Sequence, residues 1–243
     1  MLNPAASSPF LLTGDHAGVL IPASLDSLGL SDAERARHIA CDIGVRELGR
    51  RLATLLDATF VHQRYSRLVI DCNRDPASPE AIPAVSDGTA IPGNRDLADA
   101  DRDARIAAIH APYHAAVADL LDARVGRPTV LVALHSFTPV MAGIARPWDI
   151  GILHDGGDAA FARAVLEWLD GQAGFTTGDN EPYRMDATDH SVPRHAYPRA
   201  LPYVEVEFRQ DHLSAPDGIA RWAAVFAAAL RAAADAQGLR STA

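Results

Sequence analysis

TVLVAL, at residues 129–134, is an almost unbroken apolar run that is rich in β-branched side chains. A run of this kind, without polar alternation, is typical of a strand buried on both faces of a parallel sheet. Shorter runs of similar character recur along the chain. We predict further strands at residues 10–13, 58–63, 66–71, 149–154 and 203–208.

Helical patterns lie between these strands, and Gly44 interrupts the first of them. The predicted helices span residues 33–56, 99–124, 158–168 and 217–234. Strands interleaved with helices indicate an α/β protein, a three-layer α/β/α sandwich around a mixed, mostly parallel sheet. No linker or repeat divides the pattern, so we predict a single domain over residues 1–243.

Composition narrows the possible functions. Acidic residues outnumber basic ones, the net charge is −9, and the chain contains no lysine. Without a basic stripe, the chain is not expected to bind nucleic acid. The absence of lysine excludes Schiff-base chemistry and a P-loop.

Cysteine usage and apolar runs bear on location. Cys41 and Cys72 are far apart, which favours buried reduced thiols over a thiolate metal site. The sequence shows no signal-peptide pattern, and no apolar run approaches the ~20 residues of a membrane span. We therefore expect a cytoplasmic protein that does not contact a membrane.

Two histidines stand where apolar runs end. His16 follows the strand at 10–13, and His135 follows the run at 129–134 directly. Strand ends of this kind form the edge at which an α/β sheet binds small ligands. Neutral imidazole is a common zinc ligand, so the pair predicts a metal site, the alternative being capping or core histidines.

A carboxylate is needed to complete such a site. Asp42 lies in the predicted helix with apolar neighbours, so its side chain is expected to point into the protein. A buried carboxylate needs a partner or a metal. The alternative is an ion pair with Arg46 at helical spacing.

Two glutamates alternate with apolar residues in the last predicted strand. Period-two spacing places Glu205 and Glu207 on one face of that strand, and Arg209 follows on the same side. In an interior strand, a glutamate facing a metal-bound water can act as general base. The alternative is an edge strand with two solvated glutamates.

An asparagine–arginine pair, Asn73 and Arg74, follows the strand predicted at 66–71. Arginine offers a bidentate fork and asparagine a neutral donor, which suits a substrate carboxylate, and Arg67 is near enough in sequence to join them. The alternative is a surface ion pair of Arg74 with Asp71 or Asp75, which contributes little energy.

Other candidates lie in less regular sequence. Tyr183 and His195 precede the last strand and could donate to a substrate oxyanion, the alternative being loop packing. His110 and His114 have helical metal-ligand spacing but lack the adjacent glutamate of a zincin helix, so we discount them. The Pro- and Gly-rich segment 75–97 is predicted to be a functional lid.

Taken together, these segments resemble the N-formylglutamate amidohydrolase family. The resemblance covers about residues 11–213 and keeps the family's order. The matching segments are DHAG at 15–18, IP at 21–22, HIACDIG at 38–44, SRLVIDCNR at 66–74, HSFTP at 135–139, NEPY at 180–183 and EFRQD at 207–211.

The resemblance implies a zinc-carboxypeptidase-like fold and a set of roles. His16 and His135 match the family's metal-binding histidines, and Glu207 matches its strand glutamate. Carboxypeptidases take a further ligand from a glutamate three residues after the first histidine, where this chain has Val19. We assign that ligand to Asp42, by similarity to zinc amidases, with Asp15 as the alternative.

By the same resemblance, Asn73 and Arg74 look like the carboxylate clamp of the carboxypeptidases. We expect Arg67, Ser136 and Tyr183 to contact the substrate as well. The further catalytic candidates are Arg209, which is expected to steady Glu207, and His195, as a donor to the substrate oxyanion.

The implied activity is metal-dependent removal of the acyl group from an N-acyl amino acid such as N-formylglutamate, a small-molecule substrate. Zinc is the expected ion, although histidine and carboxylate ligands also suit other divalent transition metals. One alternative is a peptidoglycan or peptide amidase on the same scaffold. Another is a carboxylate-binding protein without catalysis.

Overall fold

A six-stranded sheet forms the centre of the computed structural model, which describes residues 1–239. The last four residues of the domain predicted over 1–243 therefore lie outside the described residues. In chain order the strands are β1 (Phe10–Gly14), β2 (Thr59–His62), β3 (Val85–Ser86), β4 (Thr89–Ala90), β5 (Val130–Phe137), β6 (Val140–Met141), β7 (Ile144–Ala145), β8 (Ile150–Leu153), β9 (Thr177–Asp179) and β10 (Tyr203–Arg209).

The strand order across the sheet is β2-β1-β5-β10-β8-β9, and β3–β4 and β6–β7 form two small hairpins. The first four strands in this order, β2, β1, β5 and β10, are parallel to one another. Strand β8 pairs antiparallel with β10. The outer pair β8–β9 is again parallel. The predicted mixed, mostly parallel sheet is confirmed.

The helices in chain order are α1 (Asp32–Arg35), α2 (Val45–Leu56), α3 (Asp99–Arg105), α4 (Ala111–Asp122), α5 (Ala160–Asp170), α6 (Ser191–His195) and α7 (Pro216–Ala236). A π-helical turn, Ile106–His110, joins α3 to α4, so the long helix predicted there is confirmed. Short 3-10 turns occur at Ala23–Leu25, Pro79–Ala81, Pro92–Asn94, Tyr197–Arg199 and Gln210–Leu213.

Alternating residues of β5 separate the two halves of the core. Val132 and Leu134 pack into the apolar cluster that contains α2, α5 and α7. Leu131 and Ala133 pack into a second cluster on the other face, with α4 and α6. Successive side chains of a strand point to opposite faces, so the sheet lies between two helical layers. The three-layer α/β/α sandwich is confirmed.

The strand predicted at residues 66–71 is wrong, because this segment forms a turn. The Ser66 carbonyl accepts a hydrogen bond from the amide of Val69 at 2.9 Å, and the Ser66 hydroxyl accepts one from the amide of Leu68 at 3.2 Å. Serine side chains that bond nearby amides favour turns over strands. The apolar residues of this run reflect burial of the segment and do not indicate an extended backbone.

The helix predicted at residues 33–56 is two helices, α1 and α2, separated by turns. Gly44 begins α2 in a left-handed conformation, with φ 82°. A Cβ at this position would lie 2.3 Å from the Cβ of Leu213, so close packing also requires glycine. Asp42 consequently lies in the loop before α2 and not on a helix, contrary to expectation.

Segment 75–97 is anchored to the body of the protein. The side-chain amide of Asn94 donates to the carbonyls of Leu68 at 2.8 Å and Pro83 at 2.9 Å. Its oxygen accepts a hydrogen bond from Arg105 at 2.7 Å. The segment forms one wall of the cavity described below, while its role as a moving lid stays a prediction.

The carboxyl ends of β1, β5 and β10 meet at one edge of the sheet. His16 lies just beyond the end of β1, and His135 of β5 is the register neighbour of Glu207 of β10. This edge therefore gathers the chemistry-bearing side chains that the sequence places at strand ends. Within the described residues 1–239, no helix has the length and apolar character needed to cross a membrane.

Candidate metal centre

His16, Asp42 and His135 come together at this edge, although they lie far apart in the sequence, and all three are buried. Nδ1 of His16 lies 3.5 Å from Oδ2 of Asp42, and Nδ1 of His135 lies 3.0 Å from the same oxygen. Ligand atoms held about 2.0–2.1 Å from a tetrahedral zinc ion are about 3.3 Å apart. The donor spacing therefore fits such an ion.

A second carboxylate sets the orientation of His16. Its Nε2 bonds Oδ1 of Asp71 at 2.7 Å, while its Nδ1 is buried and has no hydrogen-bond partner within residues 1–239. Because the carboxylate accepts the Nε2 proton, the Nδ1 lone pair is left for a cation. A carboxylate behind a histidine in this way is typical of zinc sites.

Arg67 holds that carboxylate in place. Its Nε and Nη2 donate to Oδ2 of Asp71 at 3.0 and 2.7 Å. Burial alone would raise the pKa of Asp71, but Arg67 and then His16 lower it well below its usual value. Asp71 therefore stays ionised, as an orienting group for His16 must.

Backbone hydrogen bonds fix Asp42. Its amide donates to the His16 carbonyl at 2.9 Å, and its Oδ2 accepts from the amide of Ser136 at 3.2 Å. Burial would raise the pKa of Asp42, but His16 and His135 together lower it. Asp42 is thus a buried carboxylate in its charged form, which suits a cation ligand.

Asp15, the alternative ligand, points elsewhere. It accepts a hydrogen bond from the hydroxyl of Tyr113 on α4 and does not line the cavity beside His16. The geometry therefore favours Asp42 over Asp15 as the third ligand.

The surroundings of His135 stabilise positive charge. Burial would lower its pKa, but the hydrogen bond to Asp42 and the nearby Glu205 raise it well above its usual value. Its Nε2 lies 3.9 Å from Oε1 of Glu205. A cation at this point would interact favourably with the same carboxylates.

Glu205 and Glu207 lie on one face of an interior strand, as predicted. Both are buried, at 2% and 7% exposure, and Oε2 of each has no hydrogen-bond partner in the described part of the chain. Burial raises the pKa of Glu205 to about 8 and the pKa of Glu207 well above its usual value. A raised pKa makes each carboxylate a stronger base than a solvent-exposed glutamate.

A cavity of about 760 Å³ opens in front of these groups. Its wall contains all three candidate ligands and both glutamates of β10. It also contains all five residues predicted to contact substrate: Arg67, Asn73, Arg74, Ser136 and Tyr183. The sequence therefore identified about half of the polar residues in the wall.

Several of these side chains already have structural partners. Oδ1 of Asn73 accepts from the amides of His190 and Ser191 at 3.0 and 2.8 Å. The hydroxyl of Ser136 donates to the Ile43 carbonyl at 2.9 Å. Asn73 therefore orders the segment before α6 in addition to lining the cavity.

Tyr183 forms part of the rim. Arg146 donates to its hydroxyl at 3.0 Å and lies 4.8 Å above its ring centre. Cation–π stacking of this kind holds an aromatic side chain in one orientation. Burial raises the pKa of Tyr183, so its phenol stays protonated and can donate a hydrogen bond.

Arg209 and His195 do not line the cavity. Arg209 ends β10, where the chain turns away, and its guanidinium pairs with Asp149 at 3.0 Å and Asp211 at 2.9 Å. His195 lies in α6, not in irregular sequence, and its Nε2 contacts Nδ1 of His114 at 2.9 Å. The roles predicted for them, steadying Glu207 for Arg209 and donation to a substrate oxyanion for His195, receive no support from these positions.

Sequence reasoning gave no role to Asp71 and no separate role to Glu205. Asp71 was visible only as a carboxylate two residues before Asn73. Its contact with His16 spans 55 residues of sequence. The sequence feature that could have revealed Asp71 is an acidic residue in a second conspicuous segment, which could be expected to pair with the strand-end histidine His16.

Both cysteines, Cys41 and Cys72, are free thiols. Burial raises the pKa of Cys41 to about 11 and also raises that of Cys72. Protonated thiols of this kind are poor metal ligands and poor nucleophiles. The prediction of reduced thiols agrees with this arrangement.

Comparison with known proteins matches this chain to one family. The model of the N-formylglutamate amidohydrolase family matches residues 8–214. The chain belongs to this family. The matched range contains all the groups of the candidate metal centre and both glutamates of β10. No curated protein matches the sequence.

Two solved structures share the fold of this chain. The gene product Atu2144 from Agrobacterium tumefaciens is 39% identical, with a TM-score of 0.94, covering 97% of this chain and 94% of that one. An N-formylglutamate amidohydrolase from Ralstonia eutropha JMP134 is 20% identical, with a TM-score of 0.64, covering 96% of this chain and 95% of that one. The second likeness concerns the fold alone.

Proposed function

We propose that this member of the family hydrolyses the amide bond of N-acyl amino acids with the help of a divalent cation, zinc being the first choice. The observation that carries the proposal is the buried Nδ1 of His16, which has no hydrogen-bond partner in residues 1–239 and faces Asp42 and His135. An unpaired buried imidazole nitrogen is costly unless it binds something. His16, Asp42 and His135 would hold the ion.

A cation bound there would lower the pKa of a water molecule toward ~7 and polarise the acyl carbonyl. The role of Glu207 follows from its position in the cavity wall next to His135. It accepts a proton from the attacking water and returns that proton to the amine nitrogen as the C–N bond breaks. The water oxygen leaves in the acid, which is formate for a formyl group.

Arg74 is the residue that we assign to the amino-acid carboxylate. Its Nη1 donates to the carbonyls of Asn73 and Thr188, which fixes the guanidinium in the cavity wall. Arg67 is less available, because two of its nitrogens bond Asp71. Arg67 therefore supports the metal centre, and Arg74 anchors the substrate.

The test combines elemental analysis with an activity assay. The protein is purified without a metal-binding tag, and release of the free amine is measured with N-formylglutamate, other N-formyl amino acids, N-acetyl and N-succinyl derivatives and a muropeptide. We expect about one divalent ion per chain, loss of activity with a chelator and recovery with zinc.

Three outcomes would contradict the proposal. Full turnover by metal-stripped protein would exclude the metal-dependent mechanism. Binding of N-acyl amino acids without turnover by the zinc-loaded protein would favour a carboxylate-binding protein. Cleavage of the muropeptide alone would favour the peptidoglycan amidase.

A further inference from the structure

The cavity wall is acidic. Eight carboxylates line it, against three arginines, Arg67, Arg74 and Arg184. The metal centre and the proposed base account for three of these carboxylates, Asp42, Asp71 and Glu207. A fourth, Asp87, pairs with Arg37, which lies outside the wall. The acids left over are Glu80, Asp186, Asp189 and Glu205.

Two of the three arginines are already paired. Arg67 is bonded to Asp71 through two nitrogens, the shorter contact being 2.7 Å. Nε of Arg74 lies 3.6 Å from Oε2 of Glu80. Within residues 1–239, only Arg184 among the three has no carboxylate within 4.0 Å, and it is exposed at the rim.

The four remaining acids surround the anchor for the substrate carboxylate. Glu80 contacts Arg74 directly, and Arg74 is close enough to act electrostatically on Asp186, Asp189 and Glu205. Asp189 also accepts a hydrogen bond from the side chain of Asn73, at 3.4 Å. When Arg74 binds the substrate carboxylate, the part of the substrate beyond that carboxylate therefore lies close to these acidic side chains.

Glu205 shows that this part of the cavity lacks a hydrogen-bond donor. The residue is 2% exposed and lines the cavity, and its Oε2 has no partner in the described chain. A buried acceptor without a partner is costly, and a ligand that donates to it removes the cost. The acidic wall favours a positively charged ligand group, and the unpartnered oxygen favours a group that donates hydrogen bonds.

We propose, on the basis of the function proposed above, that the amino acid released by this protein has a positively charged side chain and is not glutamate. The side chain branches from the carbon next to the anchored carboxylate, so we place it beside Asp189 and Glu80, with the unpartnered oxygen of Glu205 as an acceptor for its N–H groups. A guanidinium or ammonium group there gains ion pairs, whereas a second carboxylate meets like charges. The cavity of about 760 Å³ has room for a long side chain.

The test compares kcat/KM for N-formyl-arginine, N-formyl-lysine, N-formyl-glutamine and N-formylglutamate with the zinc-loaded protein. We expect both basic derivatives to exceed the glutamine derivative by about tenfold, and the glutamate derivative to be the poorest. Any other order overturns the inference. Absence of turnover with every derivative would instead contradict the proposed function itself.

Charge substitutions connect the preference to these residues. Asp189→Asn is expected to reduce kcat/KM for N-formyl-arginine by about tenfold and to change that for N-formyl-glutamine less than about threefold. Glu80→Gln, at a side chain that is 64% exposed, provides the same test if Asp189→Asn fails to fold. Glu167→Gln, on α5 and outside the cavity wall, is the matched control of equal charge change.

Salt supplies an independent readout. An electrostatic preference for basic side chains must shrink at high ionic strength, because screening weakens interactions between partly exposed charges. We expect the ratio of N-formyl-arginine to N-formyl-glutamine turnover to decrease when the salt concentration is raised from about 0.05 M to about 0.5 M. Electrostatic screening changes markedly over a range of this order. The inference is overturned if the ratio of N-formyl-arginine to N-formyl-glutamine turnover is equal at both salt concentrations. It is also overturned if neither Asp189→Asn nor Glu80→Gln changes that ratio.

Discussion

Two groups of buried histidines lie on the same side of the sheet but differ in how their nitrogens are used. In the candidate metal centre, Nδ1 of His16 has no hydrogen-bond partner in residues 1–239 and faces a carboxylate. In the second group, Nε2 of His114 donates to the Cys72 carbonyl and Nε2 of His110 to the Arg74 carbonyl. Proximity of imidazoles is therefore not enough to predict a metal site.

The second group also includes His190 and His195. The nitrogens of His110, His114 and His190 come within 4.8 Å of one another, which satisfies a distance criterion for metal binding. However, both nitrogens of His114 already have partners, Nε2 of His195 and the Cys72 carbonyl, so a metal there would have to replace one of these hydrogen bonds. The comparison teaches that a carboxylate behind the ring, and not ring clustering, distinguishes a ligand from a packing histidine.

The largest expected effect separates the two groups by metal content. His16→Ala should lose the bound ion and essentially all activity, because it removes one of three ligands. His110→Ala should keep about one ion per chain. Elemental analysis of both variants checks this, with circular dichroism to show that each is folded. An ion lost from His110→Ala and retained by His16→Ala would reverse the comparison.

Glu207→Gln should separate chemistry from metal binding. The amide cannot accept the proton of water, so kcat should fall about 10²–10⁴-fold while the ion stays bound. Kinetics with N-formyl amino acids and elemental analysis are the measurements. Glu205→Gln is the matched comparison on the same face of β10, and a larger loss of kcat there would make Glu205 the base.

Asp71→Asn tests the carboxylate behind His16. The variant keeps the size of the side chain but removes the charge that orients the ring, so zinc affinity should fall about 10–100-fold. Competition with a chromophoric chelator measures this affinity. Asp15→Asn is the control, and it should leave affinity close to that of the unchanged protein. Equal affinity in the two variants would remove Asp71 from the metal centre.

The smallest expected effect is the dependence of the unfolding free energy on acidic pH, which the second histidine group controls. Burial lowers the pKa of His114 from its ordinary value of 6.5 to about 3, and that of His195 from 6.5 to about 4. The unfolded chain takes up these protons as the pH falls through 6.5, whereas the folded chain does not until near pH 4. The stabilisation is therefore complete above pH 6.5 and is lost progressively below it.

Between pH 6.5 and 5 this linkage should cost about 3 kcal/mol of unfolding free energy, about half of it from each ring. His195→Gln keeps a donor for Nδ1 of His114 and removes one titrating ring, so it should lose less stability over the same range. Urea unfolding of both proteins at the two pH values, with chelator present, measures the difference. Identical losses would show that the ring does not titrate in this range.

Sequence reasoning succeeded where a side chain follows directly from a strand. His135 and Glu207 could be placed because TVLVAL and the alternating pattern of β10 define the strand ends and faces. It failed where local hydrogen bonds override an apolar pattern. The turn at 66–71 depends on Ser66, whose side chain bonds the amide of Leu68.

It also failed where the contacts are remote. Asn73 reads as a substrate donor in the sequence, but its oxygen bonds the amides of His190 and Ser191, the nearer of them 117 residues away. Arg209 reads as a partner of Glu207 because both lie on one side of a strand. The strand ends at that residue, and the side chain reaches Asp149 instead. Neither outcome has a signal in local sequence.

The amide of Asp42 bonds the His16 carbonyl, and the amide of Ser136 bonds Asp42. The first link is between main-chain groups and the second reaches the Asp42 carboxylate, so both join the three segments of the candidate centre independently of any ion. Folding therefore preorganises the coordination geometry, and little conformational entropy remains to be lost when a cation arrives. Such a centre can exchange its ion without dismantling its scaffold, so metals added to the folded chain should compete on affinity alone.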